Sequence, residues 1–592
     1  MQCNNPPPSQ IFQGLELKPR VPVETPSPVE QFSGAAQAFL KNFLGSLGLA
    51  PESEFARSLQ SVGVDAAKLA ALQAQYFRQH AALWQSTLAR EAGRDAAPVA
   101  PPERGDRRFS SAEWRNNPWF DYLRQSYLIN SRFLAEWVEA LKAEPLAKER
   151  MRFITRQFAD AMSPANFTAT NPEALKLALE TKGESLARGV RQLVEDVHKG
   201  RISTTDESVF EVGKNLAVTE GAVVFENELM QLIQYKPLTP TVFKQPLVMV
   251  PPCINKYYVL DLQPENSFAR YAVEQGHMVF MVSWRNITVE LGNLTWDDYI
   301  ERGVLKALEV ARAIAGAGKV NALGFCVGGT MLGTALAVTA AKGEARVESA
   351  TFLASMLDFS DTGEIGLFID EPSVMQREAS IGKGGVMPGR DLALVFSALR
   401  ANELVWSYVV NNYLMGRSPE AFDLLYWNAD STNLPGPMYC WYVRNTYLEN
   451  KLREPGRVST MGVPVDLGRV VVPAYVLATR EDHIVPWRTA YRTTQLLNSD
   501  MRFVLGASGH VAGIVNPASK NKRSYWTGGK PTGDPESWLA AATETPGSWW
   551  TDWSAWLERF GGERVKAHAR LGNAKYEPIE PAPGRYVKHR VA

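Results

Sequence analysis

Apolar positions along the chain fall into two textures, and the change between them comes near residue 207. In the first third they recur every three or four positions. Phe32, Ala36, Phe39, Leu40, Phe43, Leu44 and Leu47 form one stripe, and Leu69, Leu72, Tyr76, Phe77, Leu83, Trp84 and Leu88 form a second. That interval lines one face of a 3.6-residue repeat and predicts amphipathic helices. A Pro-, Ala- and Arg-rich linker at about 91–107 precedes Trp114, Trp119, Tyr122, Tyr127 and Phe133 at the same interval. The helical reading continues to about 200, with breaks at Ser163-Pro164 and Asn171-Pro172, because proline disfavours helix in the residue before it. The pattern predicts a disordered Pro-rich stretch over 1–30 and an all-helical domain over 31–206.

Beyond that point short apolar runs at 222–225, 247–250, 278–283, 320–323, 349–353, 474–477 and 502–505 alternate with helical stretches such as 296–315. Strands alternating with helices predict a mostly parallel sheet over 207–592. An insertion at about 358–472 is dense in aromatics, among them Trp406, Tyr413, Tyr426, Trp427, Tyr442 and Tyr447. Its place in the order makes it a candidate cap that excludes water, rather than a small extra core. Trp538, Trp549, Trp550, Trp553 and Trp556 read as a helix packing on the main core.

Composition narrows the classes. At 592 residues the chain exceeds one ordinary core, so at least two domains are expected. Lys+Arg and Asp+Glu balance at 63 each, which gives no support to nucleic-acid binding. No apolar run is long enough to span a bilayer, and Met1-Gln2-Cys3-Asn4-Asn5-Pro6 lacks a signal pattern, so neither a transmembrane nor a secretory segment is expected. Cys3, Cys253, Cys326 and Cys440 show no metal-ligand spacing and no disulfide framework, which fits a reducing cytoplasm. No phosphate loop or dinucleotide fingerprint is present, so no metal and no cofactor are expected.

The chemistry concentrates in Val320-Asn321-Ala322-Leu323-Gly324-Phe325-Cys326-Val327-Gly328-Gly329, a strand, a tight turn and then a small-residue helix. This is the nucleophile-elbow pattern of the α/β-hydrolase fold, with cysteine in place of serine. The fold class predicted is therefore α/β-hydrolase with a cap insertion, preceded by helices. Glycines at −2 and +2 are needed where a Cβ would strike backbone, and the helix that follows aims its N–H groups at the sulfur. A thiol nucleophile needs a base and an orienting carboxylate. Of the seven histidines, His510 ends a strand and a small-residue loop after the nucleophile. Asp482 follows the strand at 474–477, with Glu481 as a rival carboxylate and His483 as a candidate site-lining neighbour. Candidate oxyanion donors are the N–H groups of Val327 and of Ile254, the latter in Pro251-Pro252-Cys253-Ile254-Asn255-Lys256-Tyr257-Tyr258. Asn255, Tyr257 and His483 are the candidate substrate contacts. A cysteine acyl intermediate conserves the energy of an incoming thioester, so sulfur here suggests transfer from an acyl-CoA onto an alcohol.

With Gly324-Phe325-Cys326-Val327-Gly328-Gly329, the Pro251–Tyr258 run, Arg480-Glu481-Asp482-His483-Ile484-Val485-Pro486-Trp487, Gly506-Ala507-Ser508-Gly509-His510 and the tail Glu580–Tyr586, the chain resembles the class I polyhydroxyalkanoate synthases. The resemblance runs from about residue 105 to the end. It implies that (R)-3-hydroxyacyl-CoA, chiefly 3-hydroxybutyryl-CoA, acylates Cys326 with His510 as base, and that CoA is a substrate part and product rather than a cofactor. Asp482 would orient His510 or help deprotonate the 3-hydroxyl of the next monomer. Homodimers on polyester granules in the cytoplasm are implied, with the helical region serving attachment and dimer support. Two other readings stay open: a thioesterase or depolymerase with the same triad, and a non-catalytic granule-coat protein.

Overall fold

The alternating texture folds as an eleven-stranded mixed sheet. In this computed structural model residues 63–568 and 570–591 are described, so the stretch 1–30 and the stripe at 32–47 lie outside the described residues. The strands are β1 (Gly221–Glu226), β2 (Met230–Tyr235), β3 (Leu247–Val250), β4 (Val279–Trp284), β5 (Val320–Phe325) and β6 (Val347–Leu353), then β7 (Ala474–Thr479), β8 (Met501–Gly506), β9 (Ser524–Thr527), β10 (Thr543–Pro546) and β11 (Glu580–Pro581). Their order in space is β10-β9-β8-β7-β6-β5-β3-β4-β2-β1-β11. The six strands from β8 to β4 pair in parallel, and the strands outside them pair antiparallel. β3, β5 and β7 bury every residue because helices cover both faces, which is why they read as unbroken apolar runs. All six parallel strands end at one edge, the side where such sheets hold their ligands.

The helices before the sheet are α1 (Ala66–Glu91), α2 (Pro118–Ala140), α3 (Pro145–Ala161), α4 (Pro172–Glu180) and α5 (Glu184–Lys199). Asp65, Asn117 and Asn171 cap α1, α2 and α4 with side-chain acceptors, and proline opens α2, α3 and α4, where a missing N–H costs nothing. Leu83, Phe109, Trp114, Leu128 and Ile129 form a small core of their own.

The elbow helix α6 (Val327–Ala341) is buried almost throughout. After β6 the insertion builds helices α7 (Glu371–Ile381), α8 (Gly389–Leu399), α9 (Asp423–Asn428) and α10 (Gly436–Tyr442), joined in part by π-helical turns at Asn402–Trp406 and Val409–Leu414. Its last part turns back: Val465, Leu467 and Val470 join the buried cluster that holds Met331 and Ala335 of α6. The helices before the sheet rest on the insertion. Arg150 Nε of α3 donates to the Leu367 carbonyl at 3.1 Å and Gln157 Nε2 to that of Ala398 at 2.9 Å. The helix α11 (Trp550–Glu558) and the residue before it set Trp549, Trp550 and Trp553 around Phe268, with ring centroids 5.4, 5.0 and 4.6 Å away. Among the described residues no helix is long and apolar enough to cross a membrane.

Candidate active site

Cys326 stands between β5 and α6 with φ +53° and ψ −127°. A non-glycine residue reaches that region only under strain, which here lifts the sulfur clear of the turn. The turn closes because its glycines lack a Cβ. One added at Gly324 would lie 2.4 Å from the Gly329 Cα, and one at Gly328 would lie 2.2 Å from the Val250 carbonyl oxygen. The first N–H groups of α6, Val327 among them, have no acceptor within the helix, and the helix dipole adds positive potential beside the sulfur.

His510 comes four residues after β8 and is buried. Its Nδ1 lies 2.7 Å from Asp482 Oδ2, and the Cys326 sulfur lies near enough to raise its proton affinity. The ring stacks on Phe325, with centroids 5.4 Å apart. Burial works against a charged imidazole, but the Asp482 carboxylate and the Cys326 sulfur outweigh it, and the group is pushed up to about 10. The Asp482 side chain is fully enclosed. Its Oδ1 accepts the N–H groups of Ile484 at 2.9 Å and Val485 at 2.8 Å, and its Oδ2 also accepts the Thr479 hydroxyl at 3.2 Å. The rival Glu481 is exposed. His483 is half-buried, and its carbonyl faces Gly363 at the start of the insertion. Burial first, then Arg400, pulls its imidazole down to about 4, so it is neutral at physiological pH.

The loop after β3 starts against the N-terminus of α6, as the approach of Val250 to Gly328 requires. Cys253 is buried there, and a thiolate at Cys326 would raise its pKa further, beyond what burial alone does. The Ile254 carbonyl accepts the Thr432 N–H at 2.8 Å, which turns the loop's other face away from the insertion. Asn255 lies on the seam with the insertion, bridging to Ser431 and donating to the Asn428 carbonyl at 3.5 Å. Tyr257 is buried in the sheet core beside Tyr235 and Asp261.

Two of the insertion's aromatics, Tyr442 and Tyr447, are buried near enough to Cys326 to feel a charge there. The Tyr442 and Tyr447 hydroxyls are pushed up by burial, and a charge at Cys326 would disfavour their ionisation further. Their rings meet edge-on at 5.7 Å, and Trp296 stacks on Tyr442 at 5.5 Å with planes 6° apart. The aromatic density of the insertion was visible in the sequence, but which rings turn inward depends on packing between distant segments. A thiol at the elbow, a buried imidazole and an enclosed carboxylate thus lie in one region of the fold, a set able to support covalent acyl-group chemistry. Among the described residues no group of three or more His, Cys, Asp or Glu could hold a metal ion.

The sheet order, the elbow and the Cys326–His510–Asp482 constellation define an α/β-hydrolase fold with sulfur at the nucleophile position. Residues 246–517 match the family model of the alpha/beta hydrolase fold, and residues 105–272 match that of the poly-beta-hydroxybutyrate polymerase (PhaC) N-terminus. The chain is 54% identical to the poly(3-hydroxyalkanoate) polymerase subunit PhaC of Cupriavidus necator, over 90% of each chain. It is 42% identical to the poly(3-hydroxyalkanoate) polymerase of Methylorubrum extorquens, over 95% of this chain and 94% of that one. The chain belongs to the poly(3-hydroxyalkanoate) polymerase family, whose members are acyltransferases.

Proposed function

We propose that this chain polymerises (R)-3-hydroxyacyl-CoA, chiefly 3-hydroxybutyryl-CoA, into polyester through a covalent thioester on Cys326. The observation that carries this reading is the strained Cys326 near a His510 whose Nδ1 is held by an enclosed carboxylate. His510 takes the Cys326 proton, and the thiolate attacks the thioester carbonyl. The N–H groups of Val327 and Ile254 receive the oxyanion. CoA then leaves as its thiol with the proton from His510, and the acyl group stays on sulfur at unchanged energy. The 3-hydroxyl of a further hydroxyacyl-CoA, deprotonated at His510, attacks that thioester; the Cys326 sulfur leaves and takes the proton from His510, and the lengthened chain, now carried on CoA, re-acylates Cys326. Water in place of the hydroxyl would waste the thioester, which gives the aromatic wall of Tyr442 and Tyr447 its purpose.

Asp482 acts through His510 in this scheme. All its oxygen contacts lie within the fold and none of its side chain is exposed, which favours orientation over direct contact with substrate. The granule surface in the cytoplasm is the site of action, reached by a homodimer through the helices before the sheet.

The deciding experiment supplies a series of 3-hydroxyacyl-CoA chain lengths and follows both CoA release and product. Insoluble polyester from the short members and near-complete loss of release in Cys326→Ala are expected. Soluble hydroxy acid would mean hydrolysis instead, and undiminished release in Cys326→Ala would rule the thiol out.

A further inference from the structure

The loop that carries the Ile254 donor is tied down from two distant parts of the chain. Lys256 is only 2% exposed, and its Nζ donates to the His589 carbonyl at 2.7 Å. Its own carbonyl accepts Trp427 Nε1 of α9 at 2.7 Å. Two residues on, the Tyr258 hydroxyl donates to Asp430 Oδ2 at 2.9 Å. Asp430 is buried, its Oδ1 makes no hydrogen bond, and Arg590 Nε stands 3.8 Å from that atom. Arg590 also lies 4.4 Å above the Tyr426 ring and 3.5 Å from Glu207. Upstream, the strap that carries His589 and Arg590 is anchored by Val587, which is buried, and by the Tyr586 hydroxyl, which donates to the Asn227 carbonyl at 2.8 Å.

A buried ammonium is costly, and its replacement by an apolar side chain of similar volume is often neutral or stabilising. Burial holds Lys256 below the ordinary lysine range, with Asp430 only partly restoring it. The acyl-transfer steps use no cation at this point of the loop. What the ammonium supplies is a fixed distance between the strap and the loop.

We infer that Lys256 is a positioning residue: the strap Tyr586–Arg590 and the insertion grip the loop through it, and so aim the Ile254 N–H at the oxygen where charge develops. The inference rests on the acyl-transfer reading above. Lys256→Met removes the grip at similar length, Lys256→Arg keeps a donor, and Arg590→Ala loosens the strap at an exposed position. For each, kcat and KM for CoA release from 3-hydroxybutyryl-CoA are measured beside the rate of Cys326 alkylation by iodoacetamide. Alkylation needs the thiolate but no oxyanion hole. Lys256→Met is expected to lower kcat roughly 10- to 100-fold with KM little changed, since small misplacements of a donor cost about that much. Arg590→Ala should lower it less, Lys256→Arg should recover part of the loss, and alkylation should stay at the wild-type rate. Unchanged kcat in Lys256→Met overturns the inference, as does a fall in alkylation that matches the fall in kcat. Should Lys256→Met fail to fold, unchanged kcat in Arg590→Ala overturns it by itself. A wild-type chain that alkylates normally yet releases no CoA would overturn the acyl-transfer reading itself.

Discussion

The His510 imidazole is buried with the Asp482 carboxylate 2.7 Å from its Nδ1 and the Cys326 sulfur nearby, and this sets a pH signature. Its proton affinity is raised from 6.5 to about 10, so folding gains from the charged form. That gain is complete below about 6.5 and is lost as pH rises through about 10. The stability difference between wild type and His510→Gln, measured by denaturant unfolding, should therefore shrink across that window. A difference that stays flat would remove the charge-pair account. Cys326→Ala removes the sulfur that adds to the effect of Asp482 and should move the imidazole titration seen by NMR to lower pH. Asp482→Asn makes a second test at this scale. With the carboxylate reaching substrate only through His510, acylation and chain growth should fall by the same factor, roughly 10³-fold or more. Rapid-quench measurement of both half-reactions decides; a loss confined to chain growth would restore a direct role for Asp482. These three residues were legible in the sequence because the fold puts each within four positions of a strand end, in a fixed chain order. The burial of both Tyr257 and Tyr258 in the core was not, since nothing local in Asn255-Lys256-Tyr257-Tyr258 tells where the rings turn.

Elements were legible where one physical pattern governed them. The parallel strands, buried on both faces, announced themselves as apolar runs, whereas of the antiparallel flanks only β1 did. β2 is buried throughout yet carries Gln231 and Gln234, which are satisfied inside the fold. β9 and β10 are short and rich in Ser, Thr and Glu. The docking of α5 on the insertion was also hidden, because it depends on a glycine meeting backbone. At Gly189 of α5 a Cβ would lie 1.9 Å from the Tyr413 carbonyl oxygen, and the Tyr413 hydroxyl donates to Asp196 at 2.7 Å. Gly189→Val should push these surfaces apart and free the turn Val409–Leu414. Hydrogen exchange should then quicken over 402–417 while β5 keeps its protection. Equal protection in both proteins would show that α5 does not restrain the insertion.

Across the whole molecule, one face of the helical region is left without a cover among the described residues. Phe77 is 69% exposed and Trp84 56%, and Leu88 and Trp119 are exposed as well. Phe77, Trp84 and Leu88 follow one another at helical spacing along α1, and Trp119 stacks on Tyr122, whose ring meets Trp84 edge-on at 6.1 Å. Exposed large rings gathered on one face are candidates for an interaction surface. If the proposed attachment to polyester runs through the helical region, this face is the one to test. Replacing Phe77, Trp84 and Leu88 together by serine should leave CoA release from soluble substrate near the wild-type rate. The same change should shift the protein from sedimenting granules into the supernatant. If the triple variant still sediments fully with granules, attachment does not run through α1; if it loses CoA release as well, the face supports the fold rather than the polyester surface.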